Sequence, residues 1–271
     1  MKYVHNILYL LALVLIFSSC GDISEEMWIN ADGSGKLEYS VDLSSALPML
    51  QMMSQGVDST QAGEGGKEMM DNFFETMGRE DVDSTATFYS MAPDSIKESV
   101  EGIEKLKKVS LNMKANKDDE SAIIKMIIDF KDFNEIDELI TMVGEMQGDG
   151  AGGAMGGMMG GMGGLDGFSY ADNQYFTKKF YKRRPMQQDA SMADMMGEDE
   201  ESEGMMQMMF GNSDFIQTYH FPHKVKSVNL EEASIKAGNT VVVRRSLMDV
   251  MNAKNGKELE VMFKKKFLGI F

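Results

Sequence analysis

Methionine is the residue type whose number and spacing could do chemistry in this chain. There are 28 among 271 residues, against one cysteine and three histidines. Six methionines lie in 49–77, six in 142–162 and eight in 186–209. A thioether is a soft ligand, and soft sulfur selects Cu(I). Met155, Met158, Met159, Met162, Met192, Met195, Met196, Met205, Met206, Met208 and Met209 are therefore candidate ligands for Cu(I) or Ag(I). Two readings compete with that one. Methionine fills irregular gaps and makes adaptable apolar contacts, and a run such as 151–164, built almost wholly of Gly and Met, has too much backbone freedom to hold one conformation. The leading expectation is an insert with no metal and no cofactor.

The histidines offer less. His220 and His223 flank Phe221 and Pro222. On a helix that spacing could approach one metal, but Pro222 opposes a helix, and on a strand the two rings point to opposite faces. Asp32 sits in a short Gly turn with far too few oxygens around it for Ca²⁺. No metalloprotease His-Glu motif, nucleophile elbow or phosphate loop is present. No catalytic residue is nominated, and a hydrolase is kept only as an alternative.

Cys20 closes an N-terminal segment with Lys2, an apolar run over 7–17 and two small residues, Ser18 and Ser19. A charged start, a short apolar core and small residues before a cut are the marks of a secretory signal. The run is shorter than the ~18 residues expected of a membrane-spanning helix. The segment resembles the signal peptide and lipobox of a bacterial lipoprotein, with Phe17 where that pattern has Leu. The resemblance implies removal of 1–19, acylation of Cys20 by fatty chains such as palmitate, and anchoring in the cell envelope. The residue after Cys20 is Gly21, not Asp, which favours the outer over the inner membrane. Asp22, Glu25 and Glu26 are similar to the surface-export signal of Bacteroidetes lipoproteins, or else form a solvated tether over 20–26; the face of the membrane stays open. Loss of the thiol to acylation leaves no intrachain disulfide.

The formal charge is −16. That excess argues against nucleic acid as a partner and against electrostatic docking on anionic lipid. It suits a body held at a membrane by its N-terminal lipid, with an envelope protein or a lipid as partner.

The elements that must position any site read as α+β: antiparallel sheets with a few helices and disordered Met/Gly-rich inserts. Leu37, Tyr39, Val41 and Leu43 alternate with polar residues, the period of a half-buried strand. With 27–30 they form a hairpin around the turn at 31–35. Helices are expected at 45–53 and around Met70, Phe73, Phe74 and Met77, then a strand over 84–91. A second hairpin pairs 106–113 with 122–130; its second strand is apolar on both faces and belongs inside a sheet. Asp132 and Glu135 have the spacing of a capping box ahead of a helix with Phe133, Ile136, Ile140 and Val143 on one side. Further strands are expected at 174–183, 214–221, 225–230, 240–245 and 258–266, with a short helix at 205–210, a helical turn at 246–251 and a basic patch of Lys178, Lys179, Lys182, Arg183 and Arg184. The division is a first α+β half over 27–147, a Gly/Met-rich linker over 148–167, and a mainly β second half over 168–271 carrying an acidic Met-rich loop, 186–209.

The stretches 28–36, 219–229 and 238–243 are similar to the start and the C-terminal part of LppM-type lipoprotein domains. The resemblance implies a membrane-associated envelope protein and supplies no catalytic residue.

Overall fold

The first strand starts earlier than its obvious apolar residues. Ile23, Met27 and Ile29 share an inward face with Glu25, alternating with outward Ser24, Glu26 and Trp28, so β1 is Ile23–Ile29. Residues 23–26 therefore belong to the sheet and not to the tether expected over 20–26. In the computed structural model the described residues are 22–44, 81–116, 121–146, 169–184, 211, 213–252 and 257–265.

β1 turns into β2 (Gly35–Asp42), with Trp28 opposite Lys36 and Ile23 opposite Val41. The turn is built as its residues dictate. Gly33 takes a positive φ of 93°, Asn30 N–H donates to the Ser34 carbonyl at 2.7 Å, and the Asp32 carboxylate accepts from Ser34 N and Oγ at 3.1 and 2.7 Å. Those hydrogen bonds, the Ser34 hydroxyl first, hold the Asp32 carboxyl below its ordinary pKa. Gly35 has a different reason to be glycine. A Cβ there would lie 2.0 Å from the Trp28 carbonyl oxygen and 2.6 Å from the Phe130 ring.

After β3 (Val82–Thr87) the chain leaves the strand expected through 91 and forms α1 (Phe88–Met91). Thr87 caps it, its Oγ accepting from Ser90 N–H at 3.1 Å. A short helix, α2 (Asp94–Ser99), and a 3-10 helix (Ile103–Lys108) lead into β4 (Val109–Asn116) and β5 (Ser121–Phe130). The strands run further into the hairpin turn than expected, and 106–108 are helical. The capping box forms ahead of α3 (Phe133–Met146): Glu135 N–H donates to Asp132 Oδ1 at 3.1 Å, while Glu135 Oε2 accepts from Lys131 N–H at 2.7 Å. The expected face of α3 is buried, with Leu139 added.

The stretch expected as one strand over 174–183 is a hairpin, β6 (Gln174–Phe176) and β7 (Phe180–Arg183). Lys178 takes a positive φ of 65° at its tip and Lys179 N–H closes the turn on the Phe176 carbonyl at 2.9 Å. β8 (Asp214–His220), β9 (Val225–Val228), β10 (Ala233–Lys236), β11 (Thr240–Ser246), α4 (Leu247–Asn252) and β12 (Leu259–Phe263) complete the fold. Of these, β10 was not expected.

Two sheets result. Eight strands run β10-β11-β8-β1-β2-β5-β4-β3, and four run β6-β7-β12-β9. β5 is interior, as expected, lying between β2 and β4, with one face buried and Ile123 and Ile127 half-buried on the other. The pairings are antiparallel except β1 with β8, which run parallel with Ile23 opposite Phe215 and Trp28 opposite His220. Early and late parts of the chain thus share one sheet. The expected helices at 45–53, 70–77 and 205–210, the linker 148–167 and the loop 186–209 lie outside the described residues. Between the sheets sits an aromatic core in which Tyr181 is the hub: its ring centroid is 5.4 Å from Phe221, 5.6 Å from Tyr219 and 6.0 Å from Phe133 on α3.

Candidate functional site

Two polar clusters stand on opposite faces of the eight-stranded sheet, each centred on a residue of β1. The inward one begins with Glu25, fully buried among Ile23, Met27 and Ile29. A charge there requires a partner. Arg183, the last residue of β7, supplies it from the other sheet: Nη1 and Nη2 donate to Oε1 and Oε2, the second at 2.8 Å. Nη1 also donates to the Tyr219 hydroxyl at 2.6 Å, and the Tyr170 hydroxyl donates to Glu25 Oε2 at 2.9 Å. The guanidinium lies 5.0 Å from the Tyr170 ring centroid, within cation–π range. Burial disfavours its charge, but the Glu25 carboxylate outweighs that and keeps Arg183 protonated. Burial first pushes the phenols of Tyr170 and Tyr219 far up, so both stay neutral, Tyr170 donating to Glu25 and Tyr219 accepting from Arg183. With Glu25 and Arg183 side chains 0% and 5% exposed, no solute reaches this cluster. It fastens the two sheets together.

The outward cluster is solvent-facing. Trp28 stands in the middle of a row that crosses β2, β1, β8 and β11: Lys36, Trp28, His220, Thr240. The His220 ring stacks on the indole, 5.0 Å between centroids and 8° from parallel, and the Lys36 ammonium lies 4.1 Å from the indole centroid. His220 is held at both nitrogens, Nε2 to Glu26 Oε1 at 2.6 Å and Nδ1 to Thr240 Oγ1 at 3.1 Å. In the tautomer with the ring proton on Nε2, Nδ1 accepts from the threonine hydroxyl. Lys36 donates to Glu38 at 2.6 Å.

Carboxylate, imidazole and hydroxyl in line are the parts of an activated nucleophile. Thr240 is 9% exposed, so little of that residue faces solvent. The row also fixes the orientation of an aromatic surface. That surface offers an indole and an imidazole fixed together, a cation beside them, and two carboxylates.

The residues singled out in the sequence are distributed as follows. Cys20 and all the candidate methionine ligands lie outside the described residues. The two histidines do not meet: His220 is on the outward face, and His223 packs edge-on against Phe263, 5.7 Å between centroids. The basic patch is not one surface, since Arg183 turns inward while Lys178, Lys179 and Arg184 are exposed. Among the described residues no three His, Cys, Asp or Glu side chains converge on a metal position, and no helix is long and apolar enough to cross a membrane. Sequence reasoning missed both clusters. The available signal was period: extending the β1 alternation upstream puts Glu25 at a core position and Trp28 opposite it.

No family model matches this chain, and no curated protein matches it. Among solved structures, the folded domain of LppM from Mycobacterium tuberculosis, determined by NMR, covers 91% of this chain and 90% of its own, at a TM-score of 0.34 and 9% identity. That likeness is too distant to transfer fold or function.

Proposed function

We propose that this chain is a bacterial cell-envelope lipoprotein, held on a membrane by acyl groups on Cys20, whose α+β body is a non-enzymatic binding or structural module. The observation that carries this reading is the position of Cys20 relative to the body. It is the only cysteine, it closes a secretory pattern, and β1 starts at Ile23. Cleavage before Cys20 removes the apolar leader and leaves every strand residue in place. The absence of Asp after Cys20 favours the outer membrane. The aromatic row on the open sheet face is the surface we favour for a partner with an apolar face and polar edges. Support for a binding module comes from the enclosure of the Glu25–Arg183 cluster and the low exposure of Thr240 among the described residues.

Intact mass of protein extracted from membranes tests the anchor. Wild type is expected to carry the diacylglycerol increment and Cys20→Ser to lack it; an unmodified wild-type cysteine ends the proposal. Turnover of an envelope ester or glycan by the purified body, abolished by Thr240→Val, would overturn the non-enzymatic part.

A further inference from the structure

Resting on that reading of Cys20, we infer that the end of the large sheet at which β1 starts lies directly on the bilayer that carries the lipid, and that the body is not held off the membrane by a tether. Asp22 is already part of the folded body. Its carbonyl accepts from Asp42 N–H at 3.1 Å, and its Oδ1 accepts from Asp214 N–H at 3.1 Å. It is thus pinned to β2 on one side and β8 on the other, in the interior of an eight-stranded sheet. Only Gly21 separates Asp22 from Cys20. Two residue steps reach at most about 7 Å. Acyl chains in the hydrocarbon place Cys20 at headgroup level, and the headgroup layer is itself about 5–8 Å thick on each side. The reach from the anchored cysteine ends inside or just above that layer.

The surface so placed is the rim formed by the start of β1 and β8, the ends of β2 and β11, and α4, which follows β11. α4 is tied there by Leu247 N–H to the Ser213 carbonyl at 2.8 Å. It offers half-buried Met248 and Val250 and exposed Asp249. The Asp42 and Asp214 carboxylates are engaged locally, with Ser44 N–H at 2.9 Å and the Arg244 guanidinium at 2.6 Å, so the rim makes no strong attraction of its own. The lipid supplies the affinity and the short connection supplies the orientation. The Asn30–Ser34 turn closes the opposite end of β1, about 20 Å away at the rise of a strand.

The test uses the acylated mature protein in phosphatidylethanolamine–phosphatidylglycerol vesicles that contain a headgroup-nitroxide lipid. Asp249→Cys and Ala31→Cys are each labelled with a fluorophore; Cys20 is consumed by acylation, so each new thiol is unique. The Asp249 position is expected to lose most of its emission and the Ala31 position little. A Gly/Ser insertion of about twelve residues after Gly21, which adds about 20 Å of reach, is expected to restore the Asp249 signal. Equal quenching at both positions, or quenching unaffected by the insertion, overturns the inference while leaving the anchor intact. Protein that carries no acyl mass and stays off the vesicles removes the anchor itself, and the inference with it.

Discussion

Arg183 grips Glu25 with both guanidinium nitrogens across 158 residues of chain, one residue from each of two sheets and neither exposed. The pair carries a desolvation cost that its mutual attraction and the two tyrosine hydroxyls must offset. Truncating one partner leaves the other charge buried. Arg183→Met and Glu25→Met are each expected to cost about 3–5 kcal/mol, read by urea unfolding. The double variant should cost less than their sum, and its remaining deficit should come from the hydrogen bonds that Tyr170 and Tyr219 lose with Glu25 and Arg183, at about 1–3 kcal/mol each. Adding Tyr170→Phe and Tyr219→Phe should then recover stability. Strict additivity of the two single variants would show that the pair is not coupled as described.

Gly35→Ala should destabilise despite adding one methyl. The new carbon would sit 2.0 Å from the Trp28 carbonyl oxygen, and that backbone is fixed by the β1–β2 ladder. Overpacking of this kind costs about 1–3 kcal/mol. An unchanged thermal midpoint would mean that the strands separate there at no expense.

Acid should loosen α3 once the pH falls below the ordinary glutamate range. Burial alone would raise the Glu135 pKa, but Lys108, the Lys131 N–H and the Lys131 charge together hold it below the ordinary value. A depressed carboxyl contributes stability above its unfolded pKa and loses it as pH falls through the folded one. Stability should therefore fall on acidification below the usual glutamate range. Glu135→Gln should be weaker at neutral pH and flatter in that window. Parallel pH profiles for the two proteins would remove this role.

Trp28 is the only tryptophan, so fluorescence under tryptophan-selective excitation reports the outward row alone. His220→Ala removes one stacked face and is expected to raise the acrylamide quenching constant, at a stability cost of about 0.5–1.5 kcal/mol for the lost ring pair. Quenching equal to wild type would mean that His220 does not shield the indole.

The strand around 37–43 was legible because simple alternation survives where one sheet face is buried, and 122–130 and 240–245 because short apolar, β-branched runs read as strands. The cap of α3 was legible because its chemistry is local. What hid the start of β1 was Glu25: an acid at a core position breaks the apolar alternation, and only Arg183, far along the chain, makes it tolerable. The same long-range pairing drew Arg183 out of an apparent basic patch. The hairpin of β6 and β7 was hidden by Lys178, whose positive φ is not what a lysine advertises. The row through Trp28 and His220 depends on the parallel register of β1 with β8, which no local pattern encodes.

That parallel seam also sets an order of assembly. Asp214 closes on Asp22 from 192 residues away, so one edge of the first strand stays open until most of the chain has been delivered. Contacts of such separation carry their closure entropy before they return any stability, and they fold slowly. A chain delivered from its N-terminus would hold an unfinished sheet until β8 slots in.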